Sequence, residues 1–418
     1  MIKDFFMPEK QSAKQTYIWT VLAGLIYAGS SFLMQMVTSS YIGAAQAGIL
    51  ALALTVGNQL VTIGFYNIRT YQASDVREKY KFSDYLVLRL FTVFIMLAAG
   101  IVWVWRESYG GVKLAAVLLV VLFRAEEALS DVMEGRYQQK GRYDVSCRDM
   151  FVKVSLYLAA FLLVLLLTKN LALALLALAA VYGGAVFFVD RQLIREFGGF
   201  SLRTSWRRQR ALLFEGFPLF INAFLNAYII NAAKYAIDDF YDSETMGIFA
   251  PLYMMAFVVN MFASFVLKPA ISVMAEYYVK GNTRAFMRLV IRQIAVVSAA
   301  TGICIAGAYV MGIPVLSFLF GVDLKGYRGA LILILVSGGF TALYQLFQYG
   351  IIIMRHQYST FVCCGLTAVL TYFITPYLTK NYAVMGASAS YAISIGFMSA
   401  LFFAFFLYHL IKDRTKEK

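Results

Sequence analysis

Charge is scarce in this chain, and so are the residues that usually carry chemistry. Of its 418 residues only 14% are Asp, Glu, Lys or Arg, against 61% apolar, which excludes an ordinary water-soluble domain. Two histidines, His356 and His409, and four cysteines, Cys147, Cys304, Cys363 and Cys364, are too few to build a metal or nucleophilic centre. The cysteines show no zinc spacing, so no disulfide, metal or cofactor is expected. Also missing is a polar stretch long enough to fold on its own: the longest, residues 190–212, reads DRQLIREFGGFSLRTSWRRQRAL. No catalytic domain fits there, and the outer loops are short, so the apolar segments must carry the function.

Those segments are long. Windows of about 20 mostly apolar residues, enough to cross roughly 30 Å of hydrocarbon, recur along the whole chain. Twelve spans are expected, at 15–38, 45–67, 84–105, 112–133, 148–168, 171–190, 213–236, 246–275, 290–312, 328–353, 358–379 and 384–411. Each must be helical, because lipid offers no partner to open backbone groups, so the fold class is an all-α polytopic membrane protein. Ala45-Gln46-Ala47 resembles a signal-peptide cleavage site, but the first apolar core is too long and a second span follows at once, so it reads as a retained helix. With the N-terminus inside, 26 lysines and arginines fall on the inner segments and 6 on the outer loops. This bias places both termini in the cytoplasm of a cytoplasmic (inner) membrane. It also accounts for most of the net charge of +14, with anionic lipid headgroups as partners and no need for nucleic acid.

Residues 190–212 sit midway and end in Trp206, Arg207, Arg208 and Arg210, a composition suited to lying on cytoplasmic headgroups. They divide the chain into an N-lobe at 1–190 with six spans, a cytoplasmic linker at 191–212 and a C-lobe at 213–418 with six more. The first spans of the halves are 198 residues apart, and Arg69 and Lys268 are 199 apart. That spacing fits a parallel repeat, which transporters use to place a cavity between rocking lobes.

Five cations fall inside spans: Arg89, Arg124, Lys153, Lys234 and Lys268. A charge at a helix centre costs about 2.5–3.5 kcal/mol on insertion scales, so it faces protein or a watery cavity. Arg89 and Lys153 lie near the cytoplasmic ends of their spans and can snorkel to the interface. Arg124 is near the midplane. At 100° per residue Glu127 and Asp131 share its face while Glu126 points elsewhere. Two readings fit: an intrahelical pair of Arg124 with Glu127 that locks the helix to a neighbour, or a charged cavity wall. Lys234 shares a face with Asn231 and Asp238, and Lys268 precedes Pro269, which can bend its helix.

Three stretches carry a resemblance. NIRTYQASDVREKYKFSDYLVLR begins at Asn67, EALSDVMEGRYQQKGRYD at Glu127, and KYAIDDFYDSETMGIFAPLYMM at Lys234. Together with the helix count, spacing and size, they resemble the oligosaccharide flippase branch of the multidrug/oligosaccharidyl-lipid/polysaccharide exporter superfamily. The resemblance implies two six-helix lobes that alternate between inward-open and outward-open states around a cationic cavity. It implies a substrate as well, an oligosaccharide on an undecaprenyl pyrophosphate carrier, moved for polysaccharide biosynthesis, with polysaccharide-assembly proteins as further partners. The first motif carries Arg69, Gln72, Ser74, Asp75, Tyr85 and Arg89; the second carries Glu127, Asp131, Gly135, Gln138 and Arg142; Lys234 opens the third. Arg124 matches no motif position and stands on its depth alone. The substrate-binding set expected is Arg69, Asp75, Arg89, Arg124, Glu127, Asp131, Lys234 and Lys268, with Glu127 and Asp131 holding Arg124 while the cavity is empty.

Two other classes compete. A cation-coupled multidrug antiporter of the same superfamily commonly places an acid in its first span or an equivalent position, and residues 15–38 contain none. A membrane glycosyltransferase or polymerase needs an acid or base on a sizeable outer loop, and the most acidic outer segment, DDFYDSE at 238–244, reads as a solvated turn.

Overall fold

The structure is a computed structural model that describes residues 5–8, 12–75 and 77–416. In chain order the helices are α1 (Ala13–Ile42), α2 (Ala44–Phe65), a short α3 (Arg69–Ser74), α4 (Phe82–Arg106), α5 (Gly111–Gln139) and α6 (Tyr143–Thr168). There follow α7 (Leu171–Glu196), α8 (Trp206–Phe240), α9 (Ser243–Val279), α10 (Thr283–Phe320) and α11 (Arg328–Ile353). The last helical stretch, Tyr358–Lys416, breaks at Ala383 (φ 47°, ψ −131°) into α12 (358–382) and α13 (384–416). No strand occurs among the described residues.

Ten helical stretches are long and apolar enough to cross a membrane. Two further spans come from α5, whose charges keep it from passing on apolarity, and from the break at Ala383, which divides the last stretch in two. All twelve expected spans therefore fall on helices, though the helices overrun them. The ninth was expected to stop at residue 312. Instead α10 passes through a π-helical turn at Ala308–Gly312 and continues over Ile313–Phe320. Pro314 sits at the start of that last segment, where its missing N–H breaks no helical bond.

Helix ends follow local chemistry. A single residue, Gly43 (φ 99°), separates α1 from α2, a conformation that glycine adopts freely. Asn170, Asp242 and Asn282 cap α7, α9 and α10 by accepting from the backbone N–H of Leu173, Thr245 and Ala285 at 3.1, 2.8 and 3.0 Å.

The helices form two compact units, Met1–Phe224 and Leu225–Lys418, whose boundary falls inside α8. In the first unit α5 is central, packing on α2, α4 and α7, while α6 pairs with α1 and α7. Lipid is as apolar as leucine, so close approach rather than water exclusion holds such helices together. A Cβ at Gly57 of α2 would come within 2.7 Å of Val120 on α5. In the second unit α11 is the hub, against α9, α10 and the last helical stretch. There a Cβ at Gly338 would lie 2.9 Å from the Ala256 carbonyl oxygen.

Candidate functional site

The first unit contains a chain of buried ion pairs toward one end of α5. Asp131 of α5 accepts from Arg89 of α4 at 2.7 Å and from Arg69 of α3 at 2.9 Å. Arg69 also donates to Glu134 at 3.0 Å and to the Ser146 hydroxyl at 3.1 Å. Ser146 in turn donates to Glu134 at 3.1 Å. On the far side of Glu134, Lys153 of α6 bonds Asp190 at 3.0 Å, contacts Asp149 and Ser130, and lies 3.7 Å from Glu134. The network thus joins Arg69, Arg89 and Lys153 to Asp131, Glu134, Asp149 and Asp190.

Local sequence explains the convergence. Asp131 and Glu134 are three residues apart on α5, and Asp149 and Lys153 four apart on α6, so each pair shares a helix face. Asp190 ends a π-helical turn at Val186–Asp190, an insertion that re-aims a side chain. Arg89 is 1% exposed and also donates to the Gly64 carbonyl at 2.7 Å. Lys153 is 1% exposed. Neither cation snorkels, because acids on neighbouring helices satisfy it where it stands; for Lys153 this departs from the expectation.

Arg124 sits apart, higher on α5. It donates to Glu127 at 2.5 Å and to the Tyr27 hydroxyl of α1 at 3.4 Å, and both members of the pair are buried. The expected partnership with Asp131 is not found: Asp131 is taken by two arginines, and Glu127 alone answers Arg124. A Cβ at Gly57 would stand 3.2 Å from Arg124 Cγ, so the arginine stem occupies space that glycine leaves.

The motif residues between α3 and α4 and at the end of α5 form a scaffold. Asp75 accepts from the backbone N–H of Lys79 and Tyr80 at 2.9 and 3.0 Å and from the Tyr85 hydroxyl at 3.0 Å. Gln72 donates to the Val132 carbonyl at 3.0 Å, and a Cβ at Gly135 would fall 2.5 Å from its amide oxygen. Gln72 and Gly135, from separate motifs, are therefore packing partners. Outside the spans, Glu78 is bonded by Lys140 and, at 3.0 Å, by Arg136; the Lys140 bond first, then Arg136, holds its carboxyl below the ordinary range.

In the second unit the geometry is different. Lys234 of α8 places its ammonium 3.9 Å from the centre of the Tyr253 ring, and among the described residues no carboxylate lies within ion-pair distance of it. It is half-buried. Tyr253 is fixed by its hydroxyl bond to the Ile230 carbonyl at 2.7 Å and by the Tyr391 ring at 5.1 Å. The ring face gives an ammonium there a weak partner, and among the described residues no anion is paired with it. The side chain of Lys268 lies outside the described ones.

No protein-family model matches the chain. Solved structures do. An inward-facing multidrug resistance MATE family transporter of the MOP superfamily aligns over 100% of this chain and 99% of its own, at a TM-score of 0.65 and 12% identity. This chain has the MOP transporter fold. A second MOP superfamily transporter, from Pyrococcus furiosus, whose binding pocket is described as having reversed polarity, aligns over 100% and 97% at a TM-score of 0.60 and 13% identity. Vibrio cholerae VcmN, a MATE transporter, covers 96% and 97% at 0.60 and 12%. By sequence, the capsular polysaccharide biosynthesis protein CapF of Staphylococcus aureus is 21% identical over 338 residues, 79% of this chain and 83% of CapF.

Sequence reasoning missed four members of the ion-pair network as site residues: Glu134, Lys153, Asp149 and Asp190. The spacing of Asp131 to Glu134 and of Asp149 to Lys153 was the available signal. Asp190 had none, since its aim depends on a π-turn.

Proposed function

We propose that this chain is a flippase that moves an undecaprenyl-pyrophosphate-linked oligosaccharide across the bacterial cytoplasmic membrane by alternating access, for polysaccharide biosynthesis. The observation that carries the reading is Lys234, an intramembrane lysine on the face of the Tyr253 ring with no carboxylate within ion-pair distance among the described residues. A pyrophosphate is the anion that such a group recognises, whereas a lipophilic cationic drug would be repelled. The MOP transporter fold supplies the two-unit scaffold, and the similarity to CapF, a capsular polysaccharide biosynthesis protein, supports the polysaccharide class. In the first unit Arg69, on a side chain 29% exposed, is the cation assigned to the cytoplasmic entry. Lys268 stands at the pseudo-equivalent position in the other lobe. In this reading Arg89, Arg124, Glu127 and Asp131 shape the first unit, and Asp75 holds the loop that follows α3. The test is export in cells: Lys234→Gln, present at normal abundance, stops surface polysaccharide and leaves lipid-linked oligosaccharide inside. Normal export by that variant removes Lys234 from the site.

A further inference from the structure

We infer that Glu126 is a proton-binding site, a neutral carboxyl that charges and discharges as the transporter cycles. It stands beside Glu127 on α5, yet the two acids have opposite surroundings. Glu127 is bound by Arg124 at 2.5 Å. Glu126 points about 100° away round the helix, toward α7, and its Oε2 is buried without a hydrogen-bond partner. Among the described residues no cation lies within ion-pair distance of it. The position is built: a Cβ at Gly183 of α7 would come 2.5 Å from Glu126 Oε1 and 2.9 Å from Cδ. The carboxyl fills the space that the missing side chain of Gly183 leaves.

The titratable groups around it are engaged elsewhere. On α5, Arg124 and Glu127 hold each other. On α7, Tyr182 packs on the rings of Phe123 and Tyr157 at 5.2 and 5.9 Å, and Asp190 is held by Lys153. Residues 44–65 of α2 contain no titratable side chain. Arg89 of α4 and Asp149 and Lys153 of α6 lie in the network around Asp131 and Glu134, more than a turn along α5. An ionised carboxylate in an apolar span without a partner is costly, so the group carries a proton in this conformation. A metal ion is the wrong ligand. Metals take four or more donors, whereas one carboxyl faces a glycine here, and no metal-holding group of three His, Cys, Asp or Glu exists among the described residues.

Opening of the contact between α5 and α7 to water lets the acid release its proton to a water molecule, and closure requires a proton to be taken up again. If the two events face opposite sides of the membrane, each cycle carries one proton. This coupling rests on the transporter reading; the protonation itself does not.

Dicyclohexylcarbodiimide, an apolar reagent that modifies protonated carboxyls, tests both. The purified full-length protein in lipid nanodiscs is treated at near-neutral and at alkaline pH, and modified peptides are quantified by mass spectrometry. Modification at Glu126 near neutral pH, falling at least tenfold under alkaline conditions and absent in Glu126→Gln, is the expected result. No modification of Glu126 at any pH, or modification indifferent to pH, overturns the assignment. In cells, Glu126→Gln at parental abundance and melting temperature should block glycan export, while Glu126→Asp retains it. Normal export by Glu126→Gln overturns the coupling even where labelling succeeds. Absence of glycan export by the parent chain would instead count against the flippase reading and leave the labelling result standing.

Discussion

Replacing Asp131 by Asn keeps the shape of the side chain and deletes the charge shared by Arg69 and Arg89. The two arginines would feel it unequally. Arg69 has a side chain 29% exposed and keeps Glu134 at 3.0 Å, so solvent and a second acid cover its loss. Arg89 has a fully buried side chain, and Asp131 at 2.7 Å is its carboxylate partner; what remains is the Gly64 carbonyl. Removing one member of a buried pair costs about 3–5 kcal/mol, because the charge left behind cannot be rehydrated. Nearly all of that falls on the contact with Arg89. Thermal unfolding of the full-length protein in nanodiscs, followed by circular dichroism, should show Asp131→Asn melting well below the parent. The double variant Asp131→Asn, Arg89→Gln should recover part of the loss, since no orphaned charge remains. Parental melting of the single variant, or a double variant as unstable as the sum of the two single changes, would refute the account of the network.

Lys153→Met should destabilise more than Arg69→Gln, by about 3 kcal/mol or more against about 1, because the lysine is buried among acids while the arginine is part-exposed; equal melting temperatures would contradict this. Gly135→Ala drives a Cβ into Gln72 and should undock α3, seen as faster amide exchange over residues 69–74, with no change there if the contact is incidental. The Glu78 carboxyl is held below its ordinary range by Lys140 and Arg136. Its stabilisation of the loop is therefore present above the unfolded-state value, about 4.3, and fades as pH falls through the lower folded value. Glu78→Gln should speed exchange over residues 77–81 at neutral pH, with the difference from the parent vanishing in acid; identical exchange at neutral pH would remove the interaction. Cys147 is buried at 4% exposure, so topology is read from introduced cysteines in a cysteine-free background. An impermeant maleimide applied to intact cells should label Ser108→Cys and spare Ser205→Cys, and the reverse pattern would invert the assigned orientation.

Much of the architecture was legible because the membrane imposes it. A span must be helical and about 20 residues long, and those constraints located all twelve spans, with Gly43 alone marking the first turn. What escaped depended on backbone detail that hydropathy does not carry. The π-turn in α7 that aims Asp190, the one in α10 that carries the helix to Phe320, and the short α3 that delivers Arg69 are all invisible to an apolar window. For the charges, depth separated Arg124 from the interfacial cations and helical spacing gave its pair with Glu127. Lys153 was misjudged because snorkelling weighs one helix against the headgroups, whereas Asp190 and Glu134 reach it from other helices. For Lys234 helical spacing gave the face it shares with Asn231 and Asp238; the ring of Tyr253, nineteen residues on, gave no sequence sign that it would sit beneath the ammonium.

The central claim is that this chain moves a lipid-linked glycan, and the most direct measurement is the pool of undecaprenyl-pyrophosphate-linked oligosaccharide in cells that lack it. Mass spectrometry of extracted lipids should show the intermediate accumulating while surface polysaccharide falls, with both restored by the parent chain and not by Lys234→Gln at equal abundance. An unchanged pool with altered susceptibility to cationic drugs would contradict the account.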